Sequence, residues 1–228
     1  MIQQRIFVFF ISIVIAATTF AQEPLDTIKA KESYGLRIGV DISKPIIAQL
    51  ETEVEGMEFV ADFRIIENIY AAVEFGTETK TIDEEYINFT ADGTYIKIGG
   101  NFNAYENWEG MTNEIYIGLR YGMASFTQTL NSYTPNAEGT YFIADTVEPS
   151  TKFNSLDAQW VELVFGLKVE TFKNLYLGAS LQLKNMISTT DPENFKNLRV
   201  PGFNRVFSND KGAGFNYTIS YLIPLMKK

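Results

Sequence analysis

Apolar and polar residues alternate at period two in eight separate segments of the chain. In the clearest segment, 114–123, every second residue is apolar or aromatic: Ile115, Ile117, Leu119, Tyr121 and Met123. Alternation of this length indicates β-strands with one apolar face. The pattern predicts strands at 34–43, 57–66, 69–78, 95–103, 113–126, 159–171, 175–187 and 214–223, with a start near Tyr86 as the alternative for the fourth strand. Eight such strands predict an all-β fold, an eight-stranded antiparallel up-and-down transmembrane β-barrel.

The connectors between these predicted strands alternate between long and short along the chain. Residues 67–68 and 173–174 form tight turns, and 104–112 is only modestly longer. The long connectors are 44–56, 79–94, 127–158 and 188–213. This order places all short turns at one end of the barrel and all long loops at the other. Outer-membrane barrels have their short turns in the periplasm and their long loops outside.

The first residues predict export from the cytoplasm. A short polar start with Arg5 precedes an almost wholly apolar stretch, 6–17, and Thr19-Phe20-Ala21 has small residues where signal peptidase cleaves. About 12 apolar residues are too few to span a hydrocarbon core of ~30 Å, so a membrane anchor is disfavoured. We predict a cleaved signal peptide at 1–21, a periplasmic N-terminal segment at 22–33 and a barrel at 34–228. The predicted location is the cell outer membrane.

Glycines decide which face of the strands points inward. Gly76, Gly118, Gly122 and Gly166 are among nine glycines on the polar face. Small residues suit the crowded concave side of a narrow barrel, so the polar face is predicted to line the lumen. A soluble lipocalin-like barrel would have the reverse arrangement, with an apolar cavity and a wetted exterior.

The inward face then carries a set of acidic and basic side chains in near balance. We predict a barrel-interior charge network of Arg37, Asp41, Glu58, Asp62, Arg64, Glu74, Lys97, Glu114, Arg120, Glu162, Lys168 and Lys184, with Glu78 and Glu170 on the same face. The lumen of an eight-stranded barrel is just wide enough for side chains, and buried charges need partners. We therefore expect these groups to pair and to plug the lumen. A proton or ion path along the same groups remains an alternative.

Composition argues against an enzyme. The chain has no histidine and no cysteine, whereas outer-membrane barrel enzymes rely on a catalytic histidine. We expect no catalytic residues, no cofactor and no metal site, although a carboxylate pair such as Glu114 and Glu162 is conceivable. The formal net charge of −9 argues against nucleic acid as a partner. We expect the acidic loop residues 83–85 to be solvated. As an alternative, they hold a divalent cation between the protein and lipopolysaccharide phosphates.

Aromatic residues lie near both predicted rims and are expected to form interfacial girdles. The inner-rim set is Tyr34, Phe102, Tyr105, Trp108, Phe172 and Tyr221, and the outer-rim set is Phe89, Phe126, Trp160 and Tyr217. The loop tyrosines Tyr133 and Tyr141 are candidates for a sugar-binding patch, a less favoured reading.

In plan, the chain resembles the small OmpA and OmpX type outer-membrane barrels, and more closely an uncharacterised family of outer-membrane barrels from Bacteroidota. The resemblance rests on Tyr34-Gly35-Leu36-Arg37-Ile38-Gly39-Val40-Asp41 with Ser43-Lys44-Pro45, on Pro201-Gly202-Phe203, and on the segment 212–224. It implies location and fold, and it transfers no functional residue. Unlike OmpA, the sequence shows no peptidoglycan-binding domain after the eighth predicted strand.

The sequence is consistent with three functions. We expect a non-enzymatic structural or protein-interaction role in the cell envelope. A narrow porin-like pore for small solutes and a surface adhesin or lipid-binding barrel are the alternatives. Expected partners are outer-membrane lipid and lipopolysaccharide, the barrel-assembly machinery during insertion, and a protein partner in an outer-membrane complex.

Overall fold

Eight antiparallel strands form a closed ring in the computed structural model of the chain, which describes residues 33–50, 53–107, 111–135, 146–192 and 196–227. The strands of the ring are β1 (Ser33–Asp41), β2 (Val54–Ile66), β3 (Ile69–Glu84), β4 (Ile87–Asn103), β5 (Glu114–Tyr133), β6 (Thr151–Phe172), β7 (Leu175–Thr189) and β10 (Lys211–Lys227). Helix α1 (Ser43–Leu50) follows β1, and a short hairpin of β8 (Arg199–Val200) and β9 (Asn204–Arg205) precedes β10. The predicted fold class is confirmed.

Pairing between the first and last strands closes the ring. Each strand from β2 to β7 pairs with its sequence neighbour, and β10 pairs with both β7 and β1. The closing register runs from Ser33 opposite Lys227 to Asp41 opposite Thr218. Closure leaves the ring without an edge strand, so backbone groups along each seam are paired.

The outward face of the ring is a belt of apolar side chains. Leu119 and Leu181 are more than 60% exposed, and many other large apolar residues along the strands are also exposed. The concave face has glycines where aromatic rings need space. A Cβ on Gly122 would collide with the Trp160 ring, and a Cβ on Gly166 would collide with the Tyr116 ring.

The short turns lie where they were predicted. β2 and β3 are joined by Glu67-Asn68, and β6 and β7 by Lys173-Asn174, in which Asn174 has a positive φ of 65°. The predicted inner end of the barrel therefore holds the tight turns, the start of β1 and the end of β10.

The long connectors are more structured than predicted. The predicted loop 79–94 is wrong, because β3 and β4 continue as a hairpin to the two-residue turn Glu85-Tyr86. β4 starts at Ile87, in agreement with the alternative start near Tyr86. β5 and β6 also extend, to Tyr133 and from Thr151. The connector 188–213 contains the β8–β9 hairpin. Residues 136–145 and 193–195 lie outside the described part of the chain.

Helix α1 occupies most of the first long connector. Asp41 Oδ1 accepts hydrogen bonds from the Ser43 backbone N–H at 2.8 Å and from the Ser43 hydroxyl at 2.7 Å, which caps the helix start. Pro45 lies in the first turn, where a missing N–H does not break a helical hydrogen bond. No helix among the described residues is long and apolar enough to cross a membrane.

The described residues all belong to the unit Lys31–Lys228. The predicted signal peptide 1–21 and residues 22–32 of the predicted periplasmic segment lie outside them. Ser33, the last residue of that predicted segment, is the first residue of β1.

A charge in the apolar belt tests the assignment of the outer face. Phe165 is 43% exposed and lies between Ile117 and Leu181 on the neighbouring strands. Phe165→Arg should lower the free energy of unfolding by about 2–4 kcal/mol, as arginine does at the midplane of a bilayer. Urea titration in phospholipid vesicles, read by heat-modifiable gel mobility, measures the change.

Phe172→Arg is the matched control on the same strand. Phe172 ends β6 beside the tight turn and is 73% exposed, and arginine near an interface costs only about 0–1 kcal/mol. Equal losses for the two variants would contradict the belt.

Candidate functional site

The charged side chains that the sequence places on the inward face lie inside the ring. Those on β1 to β3 are Arg37, Asp41, Glu58, Asp62, Arg64 and Glu74, and those on β4 to β7 are Lys97, Glu114, Arg120, Glu162, Lys168 and Lys184. All are at most 8% exposed except Glu74, whose side chain is 13% exposed. We call these residues the interior network.

Two salt bridges in the inner half of the barrel cross the lumen. Arg37 on β1 pairs with Glu114 on β5, and Asp62 on β2 pairs with Lys168 on β6. In the ring order each of these strands lies opposite its partner. Arg37 and Asp62 also pair with each other across adjacent strands, with Nε and Oδ1 2.8 Å apart. Opposite walls of the barrel are thus joined by four charges.

Aromatic rings flank the Arg37 guanidinium. Its central carbon lies 5.0 Å from the ring centroids of both Tyr70 and Tyr176. A guanidinium in this position gains cation–π attraction in addition to its ion pairs. The rings also fill space around the charge and shield it from water.

Lys97 is the centre of a second group of charges. Its Nζ lies 2.9 Å from Glu74 Oε2, 3.2 Å from Glu58 Oε2 and 3.9 Å from Glu162 Oε2. Arg120 binds Glu74 from the other side, with Nε 3.1 Å from Oε1. The contacts join β2, β3, β4, β5 and β6 within one layer.

Neutral donors complete the coordination of two buried carboxylates. Glu58 accepts hydrogen bonds of 2.5 Å from the Tyr95 hydroxyl and from the Asn216 amide. Glu162 accepts one of 2.7 Å from the Trp160 indole and lies 3.5 Å from Lys184 Nζ. Hydrogen bonds and opposite charges together offset the cost of removing these carboxylates from water.

Two predicted members make contacts at the ends of the barrel. Arg64 Nε donates to the Glu67 carbonyl at 2.9 Å, and the Arg64 guanidinium lies 5.0 Å from the Tyr34 ring. Asp41 is buried beside α1, and its contacts are the helix-capping bonds and a 3.2 Å bond from the Tyr217 backbone N–H. Asp41 therefore serves the outer rim and does not enter the Lys97 group.

The outer end of the lumen contains charges that the sequence pattern did not reveal as partners. Glu78 Oε1 is 2.6 Å from an Arg199 guanidinium nitrogen, and Glu78 Oε2 is 2.9 Å from Lys44 Nζ. Lys44 belongs to α1 and Arg199 to β8. Both cations lie in predicted loops, where period-two alternation cannot predict which side chains point into the barrel.

The β8–β9 hairpin inserts apolar side chains into the outer mouth of the barrel. Val200 and Phe203 are fully buried, and they pack in a cluster with Tyr95, Trp160 and Phe126. The Phe203 and Trp160 rings meet edge to face with centroids 5.9 Å apart. The predicted external loop is therefore wrong for residues 200–203, which lie inside the mouth.

A tight turn lets the hairpin tip fit. The Phe203 N–H donates to the Val200 carbonyl at 3.1 Å, and Gly202 has a φ of +77°. Pro201 followed by a glycine with positive φ is the pattern of a type II turn. A Cβ on Gly202 would lie 2.5 Å from Tyr95 Cγ, and Lys184 Nζ donates to the Gly202 carbonyl at 2.6 Å.

The predicted outer aromatic girdle is wrong for three of its four residues. Phe89, Phe126 and Trp160 are at most 3% exposed and lie inside the mouth, whereas Tyr217 is exposed. The even spacing along the strands would have predicted the correct face. Phe126 is six residues from the inward-facing Arg120, and Trp160 is two residues from the inward-facing Glu162. At the inner rim, Phe102, Tyr105, Phe172 and Tyr221 are exposed, and Trp108 lies outside the described residues.

The chemistry of the interior is that of ion pairs and neutral hydrogen bonds. Within the described ranges, no three acidic side chains come together in a way that could hold a metal ion. The interior network consists of carboxylates, ammonium groups and guanidinium groups that contact one another. Such an arrangement can brace a lumen and can exclude water from it.

One protein-family model matches every residue of this sequence. The model described as Domain of unknown function (DUF6048) matches residues 1–228. The chain belongs to this family. No curated protein matches the chain.

Two solved structures are similar to the DUF6048 chain at low sequence identity. One is the crystal structure of Ail, the attachment invasion locus protein of Yersinia pestis, with 9% identity, a TM-score of 0.41, and coverage of 84% of this chain and 98% of that chain. The other is Ail in complex with the heparin analogue sucrose octasulfate, with 10% identity, a TM-score of 0.38, and coverage of 86% and 99%. The barrel of the DUF6048 chain is established by its own strand pairing.

Breaking one cross-lumen pair tests the energetic role of the interior network. Arg37→Met should lower the free energy of unfolding by about 3–5 kcal/mol, because it leaves Glu114 without this partner in a buried site. Adding Glu114→Gln should restore part of the loss, since Asp62 retains Lys168. Urea unfolding in vesicles measures all three proteins.

The control is an ion pair at the surface. Arg205 and Glu84 are 3.3 Å apart, with side chains 58% and 50% exposed, so Arg205→Met should cost at most about 1 kcal/mol. If Arg37→Met and Arg205→Met cost the same, the interior pairs do not brace the barrel.

Proposed function

We propose that this chain is an integral outer-membrane protein without enzymatic activity that acts by docking another protein. On this proposal, residues 1–21 are a cleaved signal peptide and 22–33 a periplasmic lead-in. The outward apolar belt and the closed ring support insertion into a bilayer. The absence of histidine and cysteine supports a role other than catalysis.

We further propose that the lumen is closed to solutes. The supporting observation is that side chains occupy the interior at three levels: the Arg37 pairs, the Lys97 group and the apolar hairpin tip at the mouth. An eight-stranded barrel has little space beyond that needed for side chains. If the lumen is closed, a partner can bind only at the rims or on the outer surface of the barrel.

Conductance measurement tests the closed lumen directly. The refolded protein in planar lipid bilayers should give no current steps above the baseline, because the paired charges and the hairpin occupy the path. A known porin measured in the same bilayers shows that the assay detects pores. Reproducible current steps from the folded protein would favour the pore hypothesis.

A sheet that extends beyond the ring supports the docking role. β3, β4, β5 and β6 have 16, 17, 20 and 22 residues, whereas β1 has 9, and about 9–11 residues suffice to cross a bilayer. Side-chain hydrogen bonds such as Thr79 to Asp92, at 2.8 Å, and Asn131 to Asn88, at 2.7 Å, join the extended strands. The extension is therefore an ordered platform on one side of the outer rim.

Exposed tyrosines at the end of this platform are its best candidates for partner contacts. Tyr86 is 58% exposed in the β3–β4 turn, and Tyr133 is exposed at the end of β5, directly opposite Ile87. A hydrogen bond to Glu85 and the charge of that carboxylate raise the pKa of the Tyr86 hydroxyl. Exposed tyrosine beside acidic residues 83–85 suits a partner surface with basic and apolar groups.

Partner capture from native membranes tests the docking role. The tagged wild-type protein, extracted from native outer membranes in mild detergent, should retain a stoichiometric protein partner that is identified by mass spectrometry. Replacing both tyrosines, Tyr86→Ser with Tyr133→Ser, should remove that partner, because the contact loses its two largest exposed apolar surfaces.

Tyr105→Ser provides the matched control. Tyr105 is exposed to the same extent as Tyr133 but follows β4 at the opposite end of the barrel, so this variant should retain the partner. The docking proposal fails if the wild type yields no stoichiometric partner, or if the double variant retains it.

A further inference from the structure

A polar cavity of about 240 Å³ lies at the outer mouth, beside the β8–β9 hairpin. Its walls come from α1, β1, β2, β3, β4, β7, β10 and the hairpin, so it forms only when the connectors are folded against the ring. Glu58 and Lys97 at its deepest part are about 1% exposed, while Glu55 in its lining is exposed. The cavity therefore opens at the outer rim and leads toward the interior.

Two buried acceptor atoms in the lining have no hydrogen-bond partner among the described residues. They are Asp41 Oδ2 and Gln182 Oε1, on side chains that are 1% and 3% exposed. A buried acceptor without a donor costs about 1–3 kcal/mol. Donor groups from a bound molecule would remove this cost.

The two acceptors belong to residues at well-separated backbone positions, on strands that flank β10. Asp41 pairs with Thr218 of β10 and Gln182 pairs with Gly214 of the same strand. Those positions are four residue steps apart, so the two backbones are offset by about 13 Å along the strand, and both side chains line the cavity between them. A molecule with donors at several points along its length can reach both acceptors.

The charges in the lining favour a neutral molecule. Five cations, Lys44, Lys80, Lys97, Lys184 and Arg199, face four carboxylates, Asp41, Glu55, Glu58 and Glu78. A polyamine would supply donors but would meet the five cations, and a polyanion would meet the carboxylates. Hydroxyl groups can donate to the free acceptors and accept from ammonium groups such as Lys184.

We propose that this cavity is a binding site for a neutral polyhydroxylated molecule of monosaccharide size, held between Asp41 on β1 and Gln182 on β7. The apolar side chains of Ile47 and Val54 in the lining supply a surface for the C–H face of such a ring. The site is independent of the docking platform, since no residue of 83–86 or 133 lines it.

Ligand-observed saturation-transfer NMR tests the proposal on the full chain folded in an amine-oxide detergent, which has no sugar headgroup. The probes are D-glucose, D-galactose, D-mannose and myo-inositol. At least one should receive saturation from the wild-type protein. Gln182→Leu should weaken its binding about tenfold, because the leucine cannot accept the ligand's hydrogen bond.

Gln128→Leu is the matched control, because Gln128 is also a buried glutamine with an unpartnered Oε1 and lies on β5 outside the cavity. It should bind the probe as the wild type does. Asp41→Asn provides a second variant that keeps Oδ1 for the helix cap and converts the free acceptor into a donor. It should also weaken binding about tenfold, because a hydrogen bond from a ligand hydroxyl to a carboxylate is stronger than one formed with a neutral amide.

Heat-modifiable gel mobility establishes that each variant is folded before binding is compared. Weaker binding in Gln182→Leu and Asp41→Asn, with Gln128→Leu unchanged, supports the site. Absence of saturation transfer to every probe in the folded wild type would overturn the proposal. Equal binding by Gln182→Leu and Gln128→Leu would overturn it as well.

Discussion

Every charge on the inner wall of this ring must meet an opposite charge or a hydrogen-bond partner, because the ring leaves little space for water. The same period-two alternation that brings Arg37, Lys97 and Glu162 inside puts Phe165 and Leu181 on the outer belt. The apolar exterior and the paired interior are thus two results of one pattern. The ring order then determines which charges meet, since Arg37 and Glu114 lie on opposite strands.

The ring was predictable because its signals are local. Alternation over 114–123 and tight turns at 67–68 and 173–174 are visible within a few residues. The sheet extension was missed for a physical reason: between Thr79 and Asp92 neither face is continuously apolar, and polar pairs such as Thr81 with Thr90, 2.9 Å apart, connect the strands. A pattern based on alternation cannot detect a strand that lacks a continuous apolar face.

Contacts in the outer mouth could not be predicted in the same way. The sequence Val200-Pro201-Gly202-Phe203 is typical of a turn. Its two large apolar residues, Val200 and Phe203, indicate that the turn packs against the protein interior. Its position between Tyr95 and Trp160 depends on residues about 40 and 100 positions away, which a single sequence does not connect. The sequence likewise indicated which charges face inward, whereas their pairing follows from the closed ring.

The cross-lumen salt bridges also bear on how the barrel assembles. Arg37 and Glu114 are 77 residues apart in the chain, and Asp62 and Lys168 are 106 apart. While the sheet is still open, Arg37 and Asp62 can pair across β1 and β2, but Glu114 and Lys168 lack these two partners and require hydration. A half-wound sheet in lipid would carry unpaired ions, so intermediates of this kind are strongly disfavoured. Joining β1 to β10 brings both cross-lumen pairs within reach, so we expect the two pairs to form together as the seam closes.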